Sequence, residues 1–433
     1  MSIERFAQRN PYARTLWHST APEGPETEPL RGEVRTDVLV IGAGISGVSA
    51  ALTLREGGAD VCLIDSEEAG VGATGRSGGL VVPSFSAIRP VAVVERLGAR
   101  GERLLTEVAN SADLVFELVR RYDIDCDGAQ NGWFNPAHST RALERISLDA
   151  EAWSTAGGDM SVVDGAEIER RTGVPGYVGG VVANRGGAMH PVKLVKGLLR
   201  AAIERGARLY TSTRATRVTR ESGRWLVTTD SGMVRAERLL ICTNARVGAL
   251  AGGLEHCIVP LNVCQIATEP LPESARGHLI GQGQSLSDTR TNIFSYRFDR
   301  DWRLITGAMP VLPAGDGRLL ARRMTARLAR FLGLASVPAP QYVWFGQASI
   351  TADRLPAIYD VGPDAYAMVA CNARGLTQST MVAVRLAEYL LSGNGNVLPV
   401  APTRAEPVSQ RSLQVAGARL YSAYGRCRDA LGV

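Results

Sequence analysis

Residues 37–52 read DVLVIGAGISGVSAAL. Val38 to Ile41 form a short apolar run, as expected of a parallel strand buried on both faces. Gly42, Gly44 and Gly47 follow in G-x-G-x-x-G spacing, and ISGVSAALTLREGG then reads as a helix with small residues on its packed side. A second strand, ADVCLID (59–65), ends at Asp65. Strand, glycine turn, helix, strand and terminal acid together make a βαβ dinucleotide-binding unit. Gly42 allows the tight turn, Gly44 lets backbone approach a pyrophosphate, and Gly47 lets helix pack on strand. The helix start, with Ile45 and Ser46, offers N–H groups to phosphate. Asp65, with Ser66 beside it, is placed to accept from ribose hydroxyls.

A second glycine-rich stretch follows closely. Residues 70–85 read GVGATGRSGGLVVPSF, with five glycines in sixteen positions. A nicotinamide dinucleotide needs only the first motif, whereas a flavin dinucleotide is longer and needs more backbone lying against it. Glycines permit that approach and expose N–H groups. The expected cofactor is therefore FAD. In this loop Ala73, Thr74, Arg76, Ser77, Gly78, Gly79 and Leu80 are the candidate contacts, with Arg76 supplying charge near the pyrophosphate and Thr74 and Ser77 supplying hydroxyls. Further candidates are Val218 among the strands of 214–242 and Thr243 and Asn244 after the strand RLLICTN. Asn372, Arg374, Gly375, Leu376 and Thr377 complete the set in VACNARGLTQST, at a strand-to-helix junction whose N–H groups could face the flavin's N1–C2=O2 edge.

Around these motifs the chain of 433 residues has 45% apolar and 21% charged residues, ordinary for a globular protein. Its net charge of +5, from 48 basic and 43 acidic residues without a like-charge run, gives no basis for nucleic-acid binding. The seven cysteines contain no C-x-x-C pair and read as free thiols of a reducing compartment. The five histidines have no metal-ligand spacing. The N-terminus is polar and Pro-rich without an apolar signal core, and no stretch is long and apolar enough to span a membrane. These readings predict a cytoplasmic protein; oligomeric state is left open.

The predicted fold is α/β: a Rossmann-type FAD-binding domain interleaved with a sheet-rich α+β substrate domain. Residues 1–33 read as an N-terminal extension. Residues 34–100, 176–255 and 341–395 are assigned to FAD binding, 101–175 and 256–340 to the substrate domain, and 396–433 to a C-terminal tail with a helix.

The sequence resembles the D-amino-acid oxidase superfamily of flavin enzymes, which implies a FAD-binding domain of the glutathione-reductase kind. The likeness rests on DVLVIGAGISGVSAAL and GATGRSGG, and on RYDIDCD, GGAMHPVKLVKG, SYRFDRDWRLITG, ITADRLP and YSAYGRCRDALGV. It implies oxidation of a C–N bond in a small amine or a gamma-glutamyl amine, with a hydride equivalent passing to flavin N5, imine hydrolysis to an aldehyde, and O2 reduced to H2O2. Amino-acid-oxidising members carry a carboxylate-binding arginine near the place of Ala348, which favours an amine here. Members with covalent flavin use a cysteine in this neighbourhood, but 344–352 contain none, so non-covalent FAD is expected. Many relatives have G-[YF]-x-G-H-G where this chain has ACNARG. Candidate substrate-side residues are Tyr296, Arg297, His190 and Phe85. The residues themselves leave plainer roles open: a sheet pair for Tyr296 and Arg297, a helix start for His190, and core for Phe85. The competing readings are an amino-acid dehydrogenase with a quinone or other acceptor, a flavin protein that modifies tRNA or stores flavin, and a nicotinamide dehydrogenase.

Overall fold

The strand Gly32–Ile41 lies inside an eight-stranded sheet, parallel to Gly232–Ile241 on one side and to Val61–Ile64 on the other. The computed structural model describes residues 15–417, except 87, 248–249, 251, 278, 282, 291–293, 310–316, 370, 412 and 415–416. The terminal motif YSAYGRCRDALGV, Cys427, His278 and most of the predicted tail helix lie outside the described residues.

The sheet extends from Val61–Ile64 to Arg208–Tyr210, and from Gly232–Ile241 to Ala365–Met368 and Ile358–Gly362. An antiparallel meander, Ala215–Glu221 and Arg224–Thr229, joins the first half of Gly232–Ile241 on the same edge that Ala365–Met368 takes further along. Val38 to Ile41 and Val61 to Ile64 are all buried, the pattern of strands covered on both faces. One face is covered by the helices Ile45–Glu56, Pro191–Glu204 and Thr380–Ser392, which pack together. Thr380–Ser392 stops at Gly393 in the left-handed conformation, φ 70°. Among the described residues no helix is long and apolar enough to cross a membrane.

A second eight-stranded sheet runs in the order 340–351, 258–270, 303–308, 295–298, 285–287, 133–137, 179–183, 160–164. It is antiparallel apart from the pairing of Ser285–Ser287 with Trp133–Ala137. Helix Arg318–Phe331 covers one face, with Leu328 in a core shared with Phe134, Phe294, Tyr296 and Phe298. The segments 179–183 and 341–351, assigned from sequence to the nucleotide-binding unit, pair in this second sheet. Gly179–Ala183 pairs with both Trp133–Ala137 and Met160–Asp164, and Pro340–Thr351 with Ile258–Pro270. An apolar run announces a strand but not its partner.

The polar, Pro-rich N-terminal segment is not peripheral where it is described. Leu16, Trp17 and Leu30 are fully buried. The six described cysteines, Cys62, Cys126, Cys242, Cys257, Cys264 and Cys371, are unpaired.

Candidate functional site

The two glycine-rich motifs meet. The Ile45 N–H, at the start of the first helix, donates to the Thr74 hydroxyl at 3.1 Å, and Gly70 N–H donates to Ala43 O at 3.0 Å. Asp65 accepts from Ala43 N–H at 2.7 Å and from Glu67 N–H at 3.0 Å. Burial raises its pKa and these two N–H groups oppose the rise. Each oxygen retains lone-pair capacity for a ribose hydroxyl. A Cβ on Gly47 would fall on the Gly42 carbonyl oxygen, so only glycine lets the helix approach this strand end. Gly42 in turn lies against Cys242 O and Thr243. Thus Gly42, Asp65 and Thr243 gather at the carboxyl ends of parallel strands, the position at which open α/β sheets bind ligands.

The second loop is held by its carbonyls. Trp344 Nε1 donates to Arg76 O at 3.2 Å, Trp17 Nε1 to Ser77 O at 2.8 Å, and Arg297 Nη1 to Gly79 O at 2.8 Å. Arg297 Nη1 also donates to Met189 O at 2.7 Å, and its guanidinium lies over the Trp17 ring at 5.3 Å. Gly79 has φ +74°, and a Cβ there would strike Met189 O and Arg297 Nη1. With these carbonyls engaged, the N–H groups of Gly78 and Gly79 have no acceptor among the described residues, nor have those of Ser46 and Gly47. Arg76 donates to Val71 O at 3.3 Å and Phe345 O at 2.9 Å. Burial, then the positive charge of Arg246, lowers its pKa. Two neighbouring guanidiniums and four unengaged N–H groups fit the pyrophosphate of a dinucleotide.

Beyond the loop, the chain passes Leu80, Val82 and Phe85 against the 372–379 segment. Thr377 Oγ1 donates to Val82 O at 2.9 Å, Gln378 Nε2 to Ser84 O at 3.2 Å, and Ser86 Oγ to Asn372 O. Gly375–Ser379 forms a π-helical turn ahead of Thr380–Ser392. Asn372, with φ 41°, accepts from Thr351 N–H at 3.0 Å through its side-chain oxygen. Buried Asn372 Nδ2, Thr243 Oγ1, Ser349 Oγ, Gln378 Oε1, Arg374 Nε and Trp133 Nε1 have no partner among the described residues. Such orphaned donors and acceptors fit a polar ring system placed among them.

The remaining candidates are distributed differently. Tyr296 and Arg297 point to opposite faces of their strand: Tyr296 belongs to the core beneath the sheet, and Arg297 alone reaches the glycine loop. His190 caps helix Pro191–Glu204, accepting Lys193 N–H at Nδ1 (3.2 Å), while Nε2 meets Thr20 Oγ1 at 3.0 Å. Burial, then Lys193 and Arg297, pushes its pKa down to about 3. Phe85 packs in the main core at 5.3 Å from Trp153. Val218 packs at the margin of the cluster holding Ile41 and Ile64, while Ser66 and Ala73 are exposed. Sequence reasoning missed Trp17, Trp344 and Trp133. The one available signal was the apolar pair Leu16-Trp17 inside an otherwise polar segment.

Residues 37–389 match the family profile DAO, described as FAD dependent oxidoreductase. The chain is 29% identical over 413 residues to gamma-glutamylputrescine oxidoreductase of Escherichia coli (strain K12), covering 94% of this chain and 96% of the relative. Among solved structures, it is similar to L-proline dehydrogenase from P. horikoshii, with TM-score 0.70 and 17% identity over 85% of this chain and 96% of that one. It is also similar to glycine oxidase from Bacillus cereus ATCC 14579, with TM-score 0.66 and 18% identity over 83% and 96%. With the fingerprint, the loop and the profile coinciding, the chain belongs to the DAO family of FAD-dependent oxidoreductases.

Proposed function

We propose that this enzyme oxidises a C–N bond in a small amine or gamma-glutamyl amine in the cytoplasm, with non-covalent FAD and O2 as acceptor. The observation that carries this reading is the near full-length likeness to gamma-glutamylputrescine oxidoreductase. FAD held there would supply a hydride acceptor at N5 and a route for two electrons to O2, giving H2O2, while water hydrolyses the imine to an aldehyde and ammonia or an amine.

The chain's own part is to bind, orient and exclude water. Asp65 would accept from ribose. Ser46, Gly47, Gly78 and Gly79 would donate N–H groups to the pyrophosphate beside Arg76. Asn372 and the turn Gly375–Thr377 would border the flavin. Leu80, Val82 and Trp133 form an apolar wall that favours a neutral amine, the form able to release hydride. Ala348, opposite Leu261 in the sheet, offers no charge to an α-carboxylate. Burial pushes the Cys371 thiol up, which disfavours its thiolate.

The test is an anaerobic flavin-bleaching screen of polyamines, gamma-glutamyl amines, N-methyl amino acids and D-amino acids, followed by peroxide measurement in air. Amines should bleach the flavin and yield one peroxide per aldehyde. Bleaching by D-amino acids alone overturns the substrate class. Dye reduction without peroxide overturns the oxidase and favours a dehydrogenase.

A further inference from the structure

Helix Arg318–Phe331 carries five arginines and no acid. Its inner side is apolar. Ala321 and Met324 pack with Cys264, Ile266, Val343 and Phe345, and Leu328 joins Phe134 and Phe298. Arg327 lies over the Phe294 ring at 5.3 Å. The other four arginines, Arg318, Arg322, Arg323 and Arg330, are exposed. At 3.6 residues per turn they fall on one arc of the helix together with Leu319, which is 64% exposed. Apolar residues separate most of them in sequence, so only the helix gathers them into a stripe. Arg322, Arg323 and Arg330 form no ion pair among the described residues. Residues 317–351, which include the helix and the long strand beneath it, contain neither Asp nor Glu. Soluble surfaces ordinarily intersperse both signs of charge; this helix presents one sign and a bare leucine.

The stripe faces away from the cofactor side. The helix covers the side of the second sheet to which Tyr296 belongs, whereas Arg297, on the opposite side, reaches the glycine loop. A partner seated on the helix therefore leaves the glycine loops uncovered. The chemistry of the stripe indicates the partner. Guanidinium forks match phosphate oxygens, and four of them along a helix about 21 Å long suit a flat array of phosphates. Leu319 stands among them and needs an apolar phase beside those phosphates. Lipid chains supply one, and a nucleic-acid backbone does not. We propose that the outward face of helix Arg318–Phe331 docks reversibly on an anionic phospholipid surface, with the arginines on lipid phosphates and Leu319 at the acyl boundary. Resting on charge and one apolar side chain, the contact is peripheral and salt-sensitive.

The test is sedimentation of the FAD-loaded enzyme with vesicles. The enzyme should bind vesicles of equal parts phosphatidylglycerol and phosphatidylcholine, and not vesicles of phosphatidylcholine alone. It should be released at about 1 M NaCl, where charges are screened beyond roughly 3 Å. Arg322→Gln combined with Arg323→Gln should weaken binding roughly thirtyfold, about fivefold for each arginine near an anionic surface. Leu319→Ser alone should also weaken it. None of these changes should alter flavin content or bleaching by substrate in free solution, because the helix lies on the far side of the sheet. Equal binding to both kinds of vesicle, or undiminished binding of the double variant, overturns the proposal. So does a transfer RNA that strips the wild type from vesicles while Leu319→Ser binds vesicles normally, for then the stripe reads phosphate without lipid. Should the double variant not fold, Arg330→Gln and the paired vesicles on the wild type still decide.

Discussion

The indole N–H of Trp17 donates to the carbonyl oxygen of Ser77 at 2.8 Å, across sixty residues of sequence. The helical turn Leu16–Thr20 thereby reaches past the first strand of the nucleotide fold to hold the second glycine loop. Trp17→Phe keeps most of the ring packing against His190, Trp344 and Arg297 but leaves Ser77 O without its donor. An unpaired buried acceptor costs about 1–3 kcal/mol. The expected result is a lower thermal midpoint and weaker FAD binding, read by fluorescence of released flavin. Unchanged flavin affinity in Trp17→Phe would show that the loop does not depend on this bond.

Arg297 acts on the same loop from the second sheet. Arg297→Met removes one donor from both Gly79 O and Met189 O; Gly79 O keeps the Met189 N–H at 2.9 Å, whereas Met189 O is left without its donor, at about 1–3 kcal/mol. Flavin retention should fall further than in Trp17→Phe. A variant that keeps its flavin but loses only substrate affinity would instead make Arg297 a substrate contact.

Much of this site was legible in sequence because its signals are local. The fingerprint, Asp65 and the GATGRSGG loop each depend on backbone that only certain residues permit within a few positions, and the structure brings them into direct hydrogen-bond contact. What the sequence hid is non-local. Nothing in SYRF tells which of Tyr296 and Arg297 faces the glycine loop, because that depends on the sheet partner and on the helix behind it. Nothing local joins Trp17 to Ser77 or Trp344 to Arg76. Nothing local in 179–183 or 341–351 told that these segments pair in the second sheet.

The close contact of Gly47 with Gly42 O gives a sharper test. Gly47→Ala places a methyl group on that carbonyl oxygen, so helix Ile45–Glu56 must move away from the strand Gly32–Ile41. Overpacking of this kind costs typically about 1–3 kcal/mol, and here it shifts the N–H groups of the helix start. FAD should be lost on purification while the far-ultraviolet circular dichroism stays near that of the wild type. A flavin-replete Gly47→Ala protein of normal stability would contradict the close approach.

The last expectation concerns pH. His190 is buried and neutral, with its pKa pushed down to about 3 by burial and then by Lys193 and Arg297. Unfolding releases it to an ordinary histidine near pKa 6.5. Between these values the unfolded chain binds a proton that the folded chain does not. Stability should therefore be intact above about pH 6.5 and fall as pH drops toward about 3, by roughly 1.4 kcal/mol per pH unit for this one group. Buried Asp65, Asp288 and Asp299 have raised pKa values. They take up protons in the folded state first and so oppose the loss at the acid end. His190→Asn isolates the histidine, because asparagine can also cap the helix by accepting Lys193 N–H but does not titrate. Urea midpoints measured in excess FAD from pH 7 down to about 4.5 should show a shallower decline in His190→Asn than in the wild type. Identical declines would mean that His190 is protonated in the folded enzyme.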